Sequence, residues 1–274
     1  MKNKTTAIAI GGFDGMHIGH QQLFSILGDN GTIIVIETGY ANLTPLKERE
    51  KFSQHPIVYF ELDEIRHLDG DGFIKMLKEK FPSLKKIVVG YDFHFGKNRA
   101  YSFEDLKTIF DGEVIVVAEV SHNGDSIHSH KIRAKLQIGD IKGANIFLGH
   151  NYTMHGKHIS GQGIGKKELV ATINIEVKGF LIPKEGVYVT LTKIDNEEHY
   201  HPSVSFVGHR VTTDGSFAIE SHILDREVVC IDKASISFVS FIRNNKKFDS
   251  VDDLRVMIKK DIAIAHKELK LLQL

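Results

Sequence analysis

Two histidines three residues apart, His17 and His20, lie in the segment Gly11-Gly12-Phe13-Asp14-Gly15-Met16-His17-Ile18-Gly19-His20. The run before it, Ala7-Ile8-Ala9-Ile10, reads as a strand, the Gly pair and Phe13-Asp14-Gly15 as a tight turn, and Ile18 onward as a helix. In open α/β folds ligands bind at the carboxyl edge of a parallel sheet, where a strand passes into a helix. There the first helical N–H groups and the positive end of the helix dipole favour a phosphate. A spacing of three lets both imidazoles point from the first turn toward one site. Gly19 between them lets a nucleotide approach the backbone without a Cβ clash. The chemistry that fits is attack of a phosphate oxygen on the α-phosphorus of ATP, with pyrophosphate leaving. Such a transfer needs positioning and neutralisation of growing charge more than a covalent nucleophile, and two imidazole donors serve that need. The plain structural alternative is a turn with two packed histidines.

The elements that must hold this segment follow from hydrophobic patterning. Strand candidates at 6–10, 32–37, 57–62, 86–90 and 113–120 alternate with helical stretches at 19–27, 71–81 and 103–110, the pattern of a parallel sheet covered by helices. Two more helical stretches, 131–139 and 140–148, close this half. From Asn151 onward the runs are shorter, richer in Val, Ile, Thr and Phe, and separated by Gly, Asn, Asp or Pro turns. Six strands are expected there, at 170–177, 186–193, 203–208, 216–222, 227–232 and 236–243, with no helix between them. They suggest a small antiparallel barrel or sandwich. A helix capped by Asp249 or Ser250 then runs from Val251 to about Leu272 and packs against the barrel. The expected domains are residues 1–149 and 150–274.

Composition narrows the class further. The chain has 274 residues, 42% apolar and 26% charged, the balance of a soluble globular protein. Its 35 Lys and Arg equal its 35 Asp and Glu, so no global field draws it to nucleic acid or an anionic membrane. No apolar run is long enough to span a bilayer and no cleavable signal pattern is present. The single cysteine, Cys230, forms no internal disulfide and reads as a buried core thiol, in keeping with a reducing cytoplasm.

The segment from Gly11 to His20 resembles the adenylyltransferase signature of the bacterial bifunctional riboflavin kinase/FAD synthetases, and the resemblance continues along almost the whole chain. It implies an α/β nucleotidyltransferase domain, Rossmann-like and of the His-x-Gly-His type, that converts FMN to FAD. A riboflavin kinase-like β-barrel with a C-terminal helix would follow, converting riboflavin to FMN. Each would use ATP and Mg²⁺, with small molecules as the only implied partners.

On this resemblance His17 and His20 are catalytic, and Gly11, Phe13, Asp14 and Gly19 contact ATP. The segment from Val89 to Arg99 resembles the family's Gly-x-Asp-Phe-x-Phe-Gly stretch, which lines the flavin side; Asp92, Phe93, Phe95 and Asn98 carry that role over. Taken alone, Phe93 and Phe95 are either apolar surface for a flat ring or ordinary core, and Lys97 or Arg99 either meets a phosphate or faces solvent. Ile127-His128-Ser129-His130-Lys131-Ile132-Arg133 occupies the place of the family's Ile-Ser-Ser-Thr-x-Ile-Arg motif. Ser129 and Arg133 match, Ser129 as an ATP contact and Arg133 as a catalytic contact to the triphosphate, whereas His128 and His130 replace hydroxyl residues. Glu37-Thr38-Gly39-Tyr40 stands where the family has a Phe-x-Pro-His-Pro loop, which leaves some nucleotide contacts unassigned. Convergence of His17, His20, His128 and His130 on a cation is the other reading of so many histidines, but no Cys or carboxylate spacing supports a zinc centre.

The second half carries further matches. Val170 to Ile175 resembles the flavokinase Pro-Thr-Ala-Asn motif, with Thr172 and Asn174 as ATP and Mg²⁺ ligands and Ala171 in place of the proline. Gly161 to Glu168 looks like a lengthened phosphate-binding loop, with Gly161 and Gly165 able to bring backbone amides to ATP. Gly208-His209-Arg210-Val211-Thr212 resembles the Gly-x-Arg-Pro-Thr turn, and Arg210 is assigned to the flavin side. Ala218 to Asp225 aligns with a strand whose Glu is the general base, here Glu220. A degenerate barrel beside an active FAD synthetase, a flavin- or nucleotide-binding regulator, and a different small nucleotidyltransferase are the competing readings.

Overall fold

A computed structural model describes residues 4–160, 170–212, 214–224, 226, 228 and 231–271. Cys230, Gly161, Gly165 and half of the 227–232 run lie outside the described residues. By packing, the chain forms two compact units, Met1–Ser129 and His130–Leu274.

The first unit is built on strands β1 (Ala7–Gly11), β2 (Gly31–Glu37), β3 (Ile57–Glu61), β4 (Lys86–Gly90) and β5 (Glu113–Val117). They lie side by side in the order β3-β2-β1-β4-β5, every neighbouring pair parallel. A parallel sheet must be covered on both faces, and the alternation of side chains shows how. Ile8, Ile10, Ile34, Ile87 and Val89 point to one face, where they pack with Phe73, Ile74 and Leu77 of helix α2 (Gly70–Lys80) and Leu106 of α3 (Phe103–Ile109). Ala7, Ala9, Ile33, Val35 and Val88 point to the other, against Leu23 and Phe24 of α1 (Ile18–Phe24). Asp69 caps α2 by accepting the Gly72 N–H at 2.8 Å, and Ser102 with Asp105 forms a capping box on α3. The expected Rossmann-like half is therefore present, with helix and strand bounds shifted by only a few residues.

The second unit opens with α4 (Ser129–Ile138), from its second residue on, and α5 (Ile141–Leu148). Asp140 caps α5, and Gly149, at φ +79°, ends it in the left-handed region that glycine tolerates. Asn145 on α5 donates to the Phe238 carbonyl at 2.8 Å and accepts from the Tyr152 N–H at 2.8 Å, so α5 packs with the barrel. The barrel has strands β6 (Thr153–Ile159), β7 (Ile173–Val177), β8 (Gly186–Ile194), β9 (His201–His209), β10 (Phe217–Ile223) and β11 (Lys233–Asn244). They close in the order β6-β7-β10-β9-β8-β11, all antiparallel. Helix α6 (Val251–Leu271) lies against the outside, burying Ala265 and Leu269 on Val187, Val189 and Leu191.

One expected strand is replaced by another. The described residues of the 227–232 run are in no strand, and the sixth barrel position is taken by β6, whose sequence Thr-Met-His-Gly-Lys-His-Ile has weak strand propensity. Pairing with both β7 and β11 imposes the extended form there. Gly156 permits the approach, since a Cβ at this position would fall 2.5 Å from the Glu176 carbonyl oxygen.

Alternation along β8 sends Thr190 and Thr192 to the side opposite Val189 and Leu191, into the barrel. There Thr190 bonds Ser203 and Ser205 at 2.8 and 2.7 Å, and Thr192 bonds Ser203 and Ser221 at 2.8 and 2.7 Å. All five hydroxyls are buried and mutually satisfied, which removes the penalty of placing them in a core.

Candidate active sites

The turn after β1 is held in an uncommon backbone form. Phe13, Gly15 and Met16 have φ of +48°, +87° and +45°, a region that side-chain-bearing residues avoid. What pays for that strain is a clamp on Asp14. Its carboxylate accepts the backbone N–H groups of Asn42, Leu43 and Thr44 at 3.2, 2.9 and 3.0 Å, while its carbonyl accepts the Ser129 hydroxyl at 2.7 Å. Gly15 N–H donates to Thr44 Oγ1 at 2.8 Å. Asp14 and Ser129 thus fasten the turn to the loop after β2 and to the segment that opens α4.

The clamped turn fixes the histidines. His17 caps α1, its Nδ1 accepting the His20 N–H at 3.3 Å, and the two rings stack with centroids 3.5 Å apart and planes at 20°. Gly19 makes room for this: a Cβ there would sit 3.1 Å from His17 Nδ1. Phe13 meets the His20 ring edge-on at 5.1 Å. His20 Nδ1 is buried without a hydrogen-bond partner. Burial is the main reason its pKa falls well below the usual imidazole value, with the charges of His17, Arg49 and His128 adding to the shift. His20 is therefore an uncharged imidazole near neutral pH.

Two groups around this centre had no assignment from sequence. Arg49, fully buried, donates through Nη1 to Glu37 Oε2 at 2.8 Å and to the Leu46 carbonyl at 3.1 Å, while its Nε lacks a partner. An acidic residue ending the apolar strand β2 was the only sign of this pair. His128, which departs from the family hydroxyl, meets Glu119 Oε1 at 3.1 Å, and Tyr91 Oη donates to the same oxygen at 2.7 Å. That bond to Glu119 is the first cause of a Tyr91 pKa pushed up to about 12.

The flavin-side segment divides in two. Phe93 and Phe95 are buried and stacked at 5.6 Å, with Phe95 also 5.5 Å from Phe73 and 5.5 Å from Tyr101, so both rings are core side chains in this structure. Asp92 and Asn98 are exposed, Asn98 at φ +59°. Arg133 lies half-buried on α4, one turn beyond Ser129.

In the barrel, Asn174 on β7 and Glu220 on β10 are paired across adjacent antiparallel strands. Arg210, just past the end of β9, joins them: Nε donates to Glu220 Oε1 at 2.7 Å and Nη2 to Asn174 Oδ1 at 2.6 Å. Thr172, exposed, directly precedes β7, and His222 Nδ1 lies 2.7 Å from the Ala171 carbonyl oxygen beside it. The Thr172 hydroxyl and Asn174 carboxamide are oxygen donors of the hard type that Mg²⁺ takes, although Asn174 Oδ1 already accepts from Arg210 Nη2 and has one lone pair left for a cation.

A nucleotide-type parallel sheet with paired imidazoles at its first strand–helix junction, followed by a closed barrel that juxtaposes Asn, Glu and Arg, defines a two-centre phosphoryl- and nucleotidyl-transfer architecture. The riboflavin kinase family model matches residues 148–269, and the FAD synthetase family model matches residues 40–131. The bifunctional riboflavin kinase/FMN adenylyltransferase of Listeria monocytogenes is 30% identical over 93% of this chain and 89% of its own length. That of Bacillus subtilis is 25% identical over 93% and 90%. A crystal structure described as a macrolide-efflux protein from Streptococcus pneumoniae superposes with a TM-score of 0.83 at 25% identity, covering 97% of both chains. The chain belongs to the bifunctional riboflavin kinase/FMN adenylyltransferase family. Among its described residues no helix is long and apolar enough to cross a membrane.

Proposed function

We propose that this chain makes both flavin cofactors from riboflavin: residues 150–274 phosphorylate riboflavin to FMN, and residues 1–149 adenylylate FMN to FAD, each reaction consuming ATP. The carrying observation is that one chain of this family presents both a stacked His17–His20 pair and a paired Asn174–Glu220 centre.

In the first centre a phosphate oxygen of FMN bonds to the α-phosphorus of ATP as the α–β bridge breaks and pyrophosphate leaves. That nucleophile is already an anion, so no general base is required. His17 and His20 donate hydrogen bonds to the charge growing on the α-phosphate. Asp14, Ser129 and Gly19 hold the imidazoles in place, while Gly11 and Phe13 shape the floor of the turn. Asp92 and Asn98, both exposed, are assigned to the flavin side with Phe93 and Phe95.

In the second centre Glu220 takes the proton of the ribityl 5′-hydroxyl as that oxygen bonds to the γ-phosphorus and ADP leaves. Mg²⁺ held by Thr172 and Asn174 would supply neutralisation of the triphosphate. A cytoplasmic location, where ATP and riboflavin are both at hand, goes with this role.

The test is incubation of the purified protein with Mg²⁺-ATP and either riboflavin or FMN, with the flavins resolved chromatographically. FAD from FMN without FMN from riboflavin would remove the kinase half of the proposal, and no product from either would remove all of it.

A further inference from the structure

We propose that Arg210 is a positioning residue of the kinase centre: it grips Glu220 by Oε1 alone, so that Oε2 is the oxygen that accepts the substrate proton. The inference rests on the kinase reading of the barrel and adds to it a role other than flavin contact.

Arg210 reaches three separate segments. Nε and Nη2 both meet Glu220 Oε1, at 2.7 and 2.5 Å; Nη2 also donates to Asn174 Oδ1 at 2.6 Å, and Nη1 to Ser216 Oγ at 2.8 Å. Arg–carboxylate pairs are frequently bidentate, each carboxylate oxygen taking one nitrogen. Here both nitrogens converge on one oxygen, and Glu220 makes no other hydrogen bond among the described residues. The result is a carboxylate fixed in orientation with one oxygen turned away from its holder. Every guanidinium nitrogen is engaged within the protein, so a flavin contact would have to break one of these bonds.

The backbone gives the guanidinium little slack. Arg210 N–H donates to the Ser216 carbonyl at 2.9 Å, and its own carbonyl accepts Gly215 N–H at 3.1 Å. Asp214 holds Ser216 by its N–H and its hydroxyl, at 3.1 and 2.8 Å. On the other side Glu185 accepts the His209 N–H at 3.1 Å and meets its Nδ1 at 2.9 Å, while Asn245 donates to the His209 carbonyl at 2.6 Å. The proton from the ribityl hydroxyl goes to Glu220 Oε2 and later to water. Arg210 keeps its own protons throughout, because guanidinium does not deprotonate in proteins. Its contribution is geometric, the class of effect in which a misplacement of about 1 Å costs about 100-fold in rate.

The experiment compares the parent protein with Arg210→Ala and Arg210→Lys in riboflavin phosphorylation, with thermal unfolding of each. A parent that forms no FMN would count against the kinase reading itself; the inference is judged only against an active parent. Arg210→Ala is expected to lower kcat about 100-fold with the KM of riboflavin and of ATP changed by less than about threefold, and millimolar guanidinium should restore part of the loss. Arg210→Lys, whose ammonium cannot span Glu220 and Asn174 with a planar fork, should keep the parent's melting temperature and still lose most of kcat. It also decides the matter if the alanine variant does not fold. An Arg210→Lys enzyme with kcat within about twofold of the parent, or a folded Arg210→Ala enzyme that guanidinium does not rescue, would overturn the proposal.

Discussion

His20 offers the sharpest physical test of the first centre. Its folded pKa lies well below 6.5 because the ring is buried beside other cationic groups, whereas in the unfolded chain it returns to the ordinary value. Below pH 6.5 the unfolded state therefore binds a proton that the folded state refuses. Stability rises with pH wherever the unfolded state holds more protons, so this contribution is present above pH 6.5 and is lost as pH falls below it. For as long as the folded ring stays neutral while pH falls below 6.5, one such group removes on the order of 1 kcal/mol per pH unit. Urea unfolding followed by far-UV circular dichroism, at pH 7 and 5.5, should show His20→Asn losing less stability than the parent by about that amount. Taking the difference between the two proteins cancels the other histidines. Equal losses in parent and variant would refute the argument, as would a His20 Hε1 resonance titrating near pH 6.5.

Separation of the two centres predicts that His20→Ala abolishes FAD formation while sparing FMN formation, and that Glu220→Ala does the reverse; chromatography of the flavins reads both, and loss of both activities in either variant contradicts the two-centre arrangement. Glu37→Gln leaves the buried Arg49 guanidinium without its counter-charge and should destabilise the first unit by about 3–5 kcal/mol, with a smaller loss in the Glu37→Gln/Arg49→Met double variant; a loss under about 1 kcal/mol in the single variant would mean that Arg49 finds other compensation. Gly19→Ala places a Cβ 3.1 Å from His17 Nδ1 and displaces the ring from its stack, so FAD formation should fall with little change in melting temperature. An enzyme as fast as the parent would show that the stack is dispensable.

The sheet strands were legible because their apolar runs are continuous and end at Gly or polar residues, a signal that survives without tertiary information. Strand β6 was not, since Thr153–Ile159 is extended by its neighbours rather than by its own residues. The same divide runs through the sites. His17, His20 and Gly19 lie within four residues, so spacing alone brings them together, and the structure adds the stack. Glu37 and Arg49, or Glu119 and His128, meet only after the chain has turned back, and no local pattern records the pairing. Phe93 and Phe95 illustrate a further limit. An aromatic pair in a loop motif carries the same letters whether its rings face a ligand or the core, and here they face the core. Arg210 could be assigned to its turn but not to its partners, because the partners lie on two other strands.

Opposite electrostatics at the two centres follow from what each nucleophile brings. FMN arrives with an anionic phosphate, so the first centre needs donors and no proton acceptor. The acid closest in sequence, Asp14, has its carboxylate occupied by three backbone N–H groups, and His20 is held uncharged with one nitrogen awaiting a partner. Riboflavin arrives with a neutral hydroxyl that must lose its proton, the role proposed for Glu220. A partly buried carboxylate on the barrel wall is better tolerated when compensated. Arg210 provides that compensation through one oxygen, which leaves the other for chemistry. A carboxylate base in the first centre would repel the incoming phosphates of both substrates, whereas in the second the nucleophile is neutral and the base meets only the charge of the nucleotide.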